Sequence, residues 1–151
     1  MKLKNIFNEI ITEKVKEMDK KPSKLVVGSW TDGDGVIEGY AYTQKGYVMY
    51  LFTPDQWIFN NLKFERNKSV ESLIRHYTKD PHRANKSGAI KERPDGTLAV
   101  EFIDHEAEEL YLVDKDLLKN LDKDTTFKIC NKALLAYEDD RLVAIIMTMK
   151  Q

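Results

Sequence analysis

The chain has 151 residues, of which 42% are hydrophobic and 32% charged, with 24 Lys and Arg against 25 Asp and Glu. That length fits one domain with a full hydrophobic core, so residues 1–151 are expected to form a single domain. The near-cancelling charge excludes a globally basic nucleic-acid binder, and the single cysteine excludes a disulfide framework and a Cys-rich zinc site.

Leu3, Ile6, Phe7, Ile10, Ile11, Val15 and Met18 recur at helical spacing and predict an amphipathic helix from about Leu3 to Asp19, stopped by Pro22. Strands follow over Lys24–Thr31, Val36–Thr43 and Tyr47–Phe52, with turns at Asp32-Gly33-Asp34-Gly35 and Gln44-Lys45-Gly46. Tyr47–Phe52 is apolar on both faces, as a central strand covered on each side would be. Thr53, Pro54 and Gln56 have the chemistry of a helix start with a capping box, leading a short helix with Trp57, Ile58 and Leu62. A second helical pattern carries Val70, Leu73, Ile74 and Tyr77 and ends at Asp80-Pro81.

Pro94-Asp95-Gly96 marks a hairpin between Asn85–Arg93 and Thr97–Ile103, with Leu98, Val100 and Phe102 on one face. Asp104–Glu109 reads as a solvated acidic loop. Glu109–Val113 is a strand, and Asp114 caps a short helix to Leu121 bearing Leu117, Leu118 and Leu121. Thr125–Cys130, Ala133–Tyr137 and Leu142–Met149 close the chain as strands. Helix-then-strands units therefore start near Leu3, near Asn67 and at Asp114. The expected fold is α+β, a mostly antiparallel sheet with helices on one face.

Charge is segregated. Residues 2–24 and 63–86, both helical, carry +3 and +4, whereas residues 25–62 and 87–113, rich in strands, carry −3 and −5. Lys14, Lys16, Arg75, Lys79 and Arg83 lie on or just after the basic helices, away from the apolar stripes, and are the candidate contacts to DNA phosphates.

No chemical site emerges. The Asp32–Gly35 segment lacks oxygen ligands at the calcium-loop positions of Trp30 and Ala41. His76, Asp80 and His82 are not spaced as a helical metal pair, and Cys130 reads as a buried thiol in a strand. A nucleophile elbow, a P-loop and a dinucleotide fingerprint are all absent. No catalytic, cofactor-binding or metal-binding residue is nominated, and a non-enzymatic protein is expected. The longest apolar run, Tyr47–Phe52, is far short of a membrane span. The charged N-terminus has no signal-peptide pattern, so a cytoplasmic protein is expected.

Residues of about 108–150 are similar to a known unit. The strand Glu109–Val113, the helix Asp114–Leu121 and three closing strands give β-α-β-β-β, which resembles the half-domain of the bacterial DNA sliding clamp, the ring-shaped polymerase processivity factor. Leu117-Leu118-Lys119-Asn120-Leu121 stands where the clamp has Leu-Leu-x-x-Leu. Val143–Lys150 resembles its terminal strand, with Thr148 in place of a proline and Lys150 in place of an arginine. The resemblance implies basic helices facing duplex DNA, assembly of copies through sheet edges, and Met147 and Met149 beside an apolar pocket that takes peptide motifs of replication proteins. The expected function is a non-enzymatic clamp-like protein of DNA replication, as a small processivity factor or as a clamp mimic. The alternative is a phage-type inhibitor or adaptor that binds a host protein through an acidic or aromatic surface.

Overall fold

The computed structural model describes residues 1–22, 25–31, 37–43, 47–53, 55, 56, 58 and 68–149. In chain order the elements are α1 (Leu3–Met18), β1 (Leu25–Thr31), β2 (Ile37–Thr43), β3 (Val48–Phe52), α2 (Lys68–Thr78), β4 (His82–Glu92), β5 (Leu98–Asp104), β6 (Glu109–Asp114), a 3-10 turn (Lys115–Leu118), β7 (Thr126–Cys130), β8 (Ala133–Glu138) and β9 (Arg141–Met147). Each helical element leads three strands. Every pairing between these strands is antiparallel, so the molecule is α+β with an antiparallel sheet.

The strand order is β1-β2-β3-β9-β8-β7-β4-β5-β6. The last three-stranded unit therefore sits between the first two. Just past β9, the Met149 N–H donates to the Leu112 carbonyl of β6 at 2.7 Å. That bridge curls β4–β9 back toward closure. β3 is buried along its whole length between β2 and β9, as the two-faced apolar run Tyr47–Phe52 requires.

The placing of the helices corrects the expectation of helices on one face. Val48, Tyr50 and Phe52 pack in one core with Ile6 and Ile10 of α1, and Phe7 meets the Phe52 ring at 5.3 Å between centroids. Met49 and Leu51 pack in a second core with Val70 of α2, against which Ile74 and Tyr77 also lie. Side chains alternate across a strand, so α1 and α2 cover opposite faces. The physical reason is β3 itself, whose two apolar faces both need cover. Part of each apolar stripe is left over: Ile11, Val15 and Met18 of α1 and Leu73 of α2 are exposed.

Local chemistry sets the connections. Thr53 and Gln56 exchange the reciprocal hydrogen bonds of a capping box, at 3.1 and 3.3 Å. The expected turns at 32–35 and 44–46, and most of the expected helix over 57–62, lie outside the described residues. Asp114 caps as expected, accepting from the Asp116 N–H at 2.9 Å, but the helix it starts is one 3-10 turn, not a helix to Leu121. Leu117, Leu118 and Leu121 reach the first core from that turn and the segment after it, so a longer helix has nothing more to bury. The β8–β9 register slips between Ala136 and Tyr137 of β8, leaving Val143 of β9 as the extra residue of a bulge. Val143 and Ala144 then both join the first core.

The β7–β8 turn has Asn131 at φ 49° and Lys132 at φ 65°, and the β8–β9 turn has Asp139 at 50° and Asp140 at 62°. Two successive positive φ values define the turn type that matches strand twist. Lys132 is the residue least suited to this conformation, which costs a non-glycine residue roughly 1–2 kcal/mol. Lys132→Gly is therefore expected to raise stability by about 0.5–1 kcal/mol after the added chain entropy, read as a higher urea midpoint. Among the described residues no helix is long and apolar enough to cross a membrane.

Candidate functional site

The β4–β5 hairpin and the 3-10 turn enclose an apolar groove of about 630 Å³. Its apolar lining includes Ala89, Ile90, Leu98, Val100 and Leu118, and its charged lining is mixed, with Lys86, Lys115 and Lys119 beside Asp114 and Asp116. Ile90 is 55% exposed and Leu98 40%. A break in β4 shapes it: pairing with β5 shifts between Lys86 and Ile90. Gly88, at φ 94°, has the backbone conformation that L side chains rarely adopt, although space beside it is open. The bulge also brings the Ser87 hydroxyl to Glu101, to which it donates at 2.8 Å, while Lys91 stands 3.1 Å away. These bonds, Ser87 first, hold the buried Glu101 carboxyl below its ordinary value despite burial. At the hairpin end, Arg93 N–H bonds the Thr97 carbonyl at 2.8 Å, and Gly96 sits at φ 85° as the Pro94-Asp95-Gly96 signal requires.

A second, polar cleft of about 670 Å³ lies at the other end of β4, with Lys79, His82, Asp104, Tyr111 and Lys132 among its lining residues. His82 Nδ1 is 3.0 Å from Asp104 Oδ2. Burial pushes the Asp104 carboxyl up, but the Ala107 N–H, His82 and the Glu106 N–H outweigh it and hold the group below its ordinary value. Burial and the hydrogen bond to Glu109 push the Tyr111 hydroxyl up to about 12. Among the described residues no group of three His, Cys, Asp or Glu is placed to hold a metal. His76 does not join His82; its ring lies edge-on to Tyr77, 4.9 Å between centroids. Cys130 is buried, its thiol 3.8 Å from the His76 carbonyl.

The five candidate DNA contacts fall into two groups. Lys14 and Lys16 lie on α1 and pair with Glu17 at 3.2 Å and Glu13 at 2.9 Å. Arg75 and Lys79 are exposed on and just past α2. Arg83 stands on the same side as α2, because its neighbour Ala84 belongs to the first core. It is directly across from Lys128, whose ammonium lies 5.0 Å over the Tyr137 ring. The structure thus gathers Arg75, Lys79 and Arg83 on one side and separates them from Lys14 and Lys16. Cations in the last turn of α2 also favour the helix dipole without any ligand.

Met147 packs against the second core, and Met149 lies against Arg93. Neither lines the groove, although Arg93, against which Met149 lies, bonds the groove residue Thr97. Sequence reasoning missed the groove. An isolated glycine inside an otherwise regular strand pattern is the usual sign of a bulge, and Gly88 was that sign. Compared with known proteins, the chain matches no family model, no curated protein and no solved structure.

Proposed function

We propose that this chain is a non-enzymatic, clamp-like protein of DNA replication, acting as a clamp mimic that receives an extended peptide of a replication protein. The observation that carries the reading is the apolar groove, one wall of which is the 3-10 turn of the clamp-like segment 108–150. Exposed Ile90 and Leu98 offer apolar anchoring inside it, and the lysines and aspartates around them suit polar flanks on either side of a peptide's apolar anchors. A fluorescently labelled clamp-binding peptide from a bacterial replicative polymerase is expected to bind the chain saturably. Absence of binding at high protein concentration sinks the reading.

The placement of the cations favours the mimic over a factor that encloses DNA. Helices on opposite sides of the sheet cannot line one hole together. Whatever duplex contact exists belongs to the α2 side. Replacing Arg75 and Lys79 by Glu is expected to weaken association with a fluorescent duplex at low salt and to flatten its salt slope by about 2. Lys14→Glu with Lys16→Glu is expected to change neither. Equal losses from both pairs would return the enclosing arrangement, built from several copies, to first place.

A further inference from the structure

His82, the first residue of β4, is held from two sides. Asp104 Oδ2 is 3.0 Å from Nδ1, and Glu106 Oε2 is 3.4 Å from Nε2. Asp104 is 3% exposed, and its other oxygen accepts the N–H groups of Glu106 at 3.0 Å and Ala107 at 3.1 Å. The His105 N–H donates to the Arg83 carbonyl at 3.0 Å. The turn after β5 is thus fastened to the start of β4 by one backbone bond and one imidazole.

The chemistry of that imidazole is two-valued. Both ionised carboxylates can only accept hydrogen bonds, so only the imidazolium, with two N–H groups, satisfies both. The neutral ring has one. Asp104, nearer and buried, keeps it at Nδ1, and the Nε2 lone pair then faces the Glu106 carboxylate. That contact is acceptor against acceptor. We propose that His82 is a pH-operated latch: protonated, it ties Glu106 and the turn over 105–108 to the rim of the polar cleft, and neutral, it releases Glu106 while Asp104 keeps the ring in place.

The surroundings set the pH at which the latch works. The hydrogen bond to Asp104 raises the His82 pKa above its ordinary value, against a smaller opposing effect of burial, and the charges of Asp104, Glu106 and Asp80 add to the rise. Lys79 and Lys132 also stand on the walls of the cleft. Glu109 is engaged by the Tyr111 hydroxyl at 2.7 Å, and Tyr111 stays neutral throughout. Cys130 also lines the cleft, its thiol against the His76 carbonyl. Because the folded pKa is raised, the latch is closed below the free histidine value of about 6.5 and opens as pH climbs through the higher folded value.

The test is a pH titration of the isotopically labelled full chain by NMR, from about pH 5 to about pH 9. His82 is expected to titrate above the free histidine value of about 6.5, with the Glu106 and Ala107 amides following the His82 midpoint. In Glu106→Gln the His82 midpoint falls by roughly 0.2–0.7 pH units, as loss of one partly exposed charge pair implies. In His82→Gln, which keeps one neutral donor for Asp104, the amides of the turn lose that transition. A His82 midpoint at or below the free histidine value of about 6.5, or a midpoint unmoved by Glu106→Gln, overturns the proposal even if His82→Gln does not fold.

Discussion

Replacing Phe102 by Ala is expected to destabilise the fold by about 3–5 kcal/mol, a large share of the roughly 5–15 kcal/mol that holds a typical domain together. Phe102 has no exposed surface. It lies at the centre of β5, paired with Tyr111 on β6 and Lys86 on β4. Its ring meets Phe127 of β7 edge-on at 4.9 Å between centroids. Val100, Val113 and Ala84 complete the same core. Truncation removes the ring and leaves a cavity that a curled sheet pinned by hydrogen bonds can close only in part. Urea unfolding of the variant reads the effect as a lower midpoint at unchanged slope. A loss under about 1 kcal/mol would mean that the β4–β7 core is not packed as described.

The second large effect concerns binding. Ile90→Glu with Leu98→Glu is expected to weaken capture of the polymerase-derived peptide by about thirtyfold or more, the consequence of removing two anchors of a small apolar site. Both side chains are substantially exposed, so unfolding should change little, and a stability control separates lost anchoring from lost folding. Full binding by this variant would place the peptide elsewhere, with the ends of β9 and the side chains of Met147 and Met149 as the next surface to test.

Much of the scaffold was legible in the residues. Pro94-Asp95-Gly96 named its hairpin, Thr53 and Gln56 named their capping box, and Asp114 named its cap, because each rests on hydrogen bonds within a few residues. The two-faced run Tyr47–Phe52 announced a central strand, and taken at its word it required a helix on each side. What the pattern did not contain was long-range pairing. Insertion of β7–β9 between β3 and β4 depends on which edges meet after the units form. Leu117, Leu118 and Leu121 fit a longer helix as well as a single 3-10 turn, and packing decided between them.

The candidate sites were less legible for the same reason. His82 and Asp104 are 22 residues apart and meet only because β4 pairs with β5. Lys14 and Arg75 have similar helical settings in sequence, yet the alternation of β3 sends their helices to opposite faces. Segment charge located cations correctly but carried no information about which of them share a surface.

The central claim is mimicry, and competition in one solution tests it most directly. A labelled polymerase peptide is first bound to a purified bacterial sliding clamp, and the chain is then titrated in while the mass of the peptide-bearing species is followed by analytical ultracentrifugation. The account predicts that the label moves from the clamp ring to a species with the mass of this chain, and that the Ile90→Glu, Leu98→Glu variant leaves it on the ring. Label that stays with the clamp at every concentration of the wild-type chain would contradict the account.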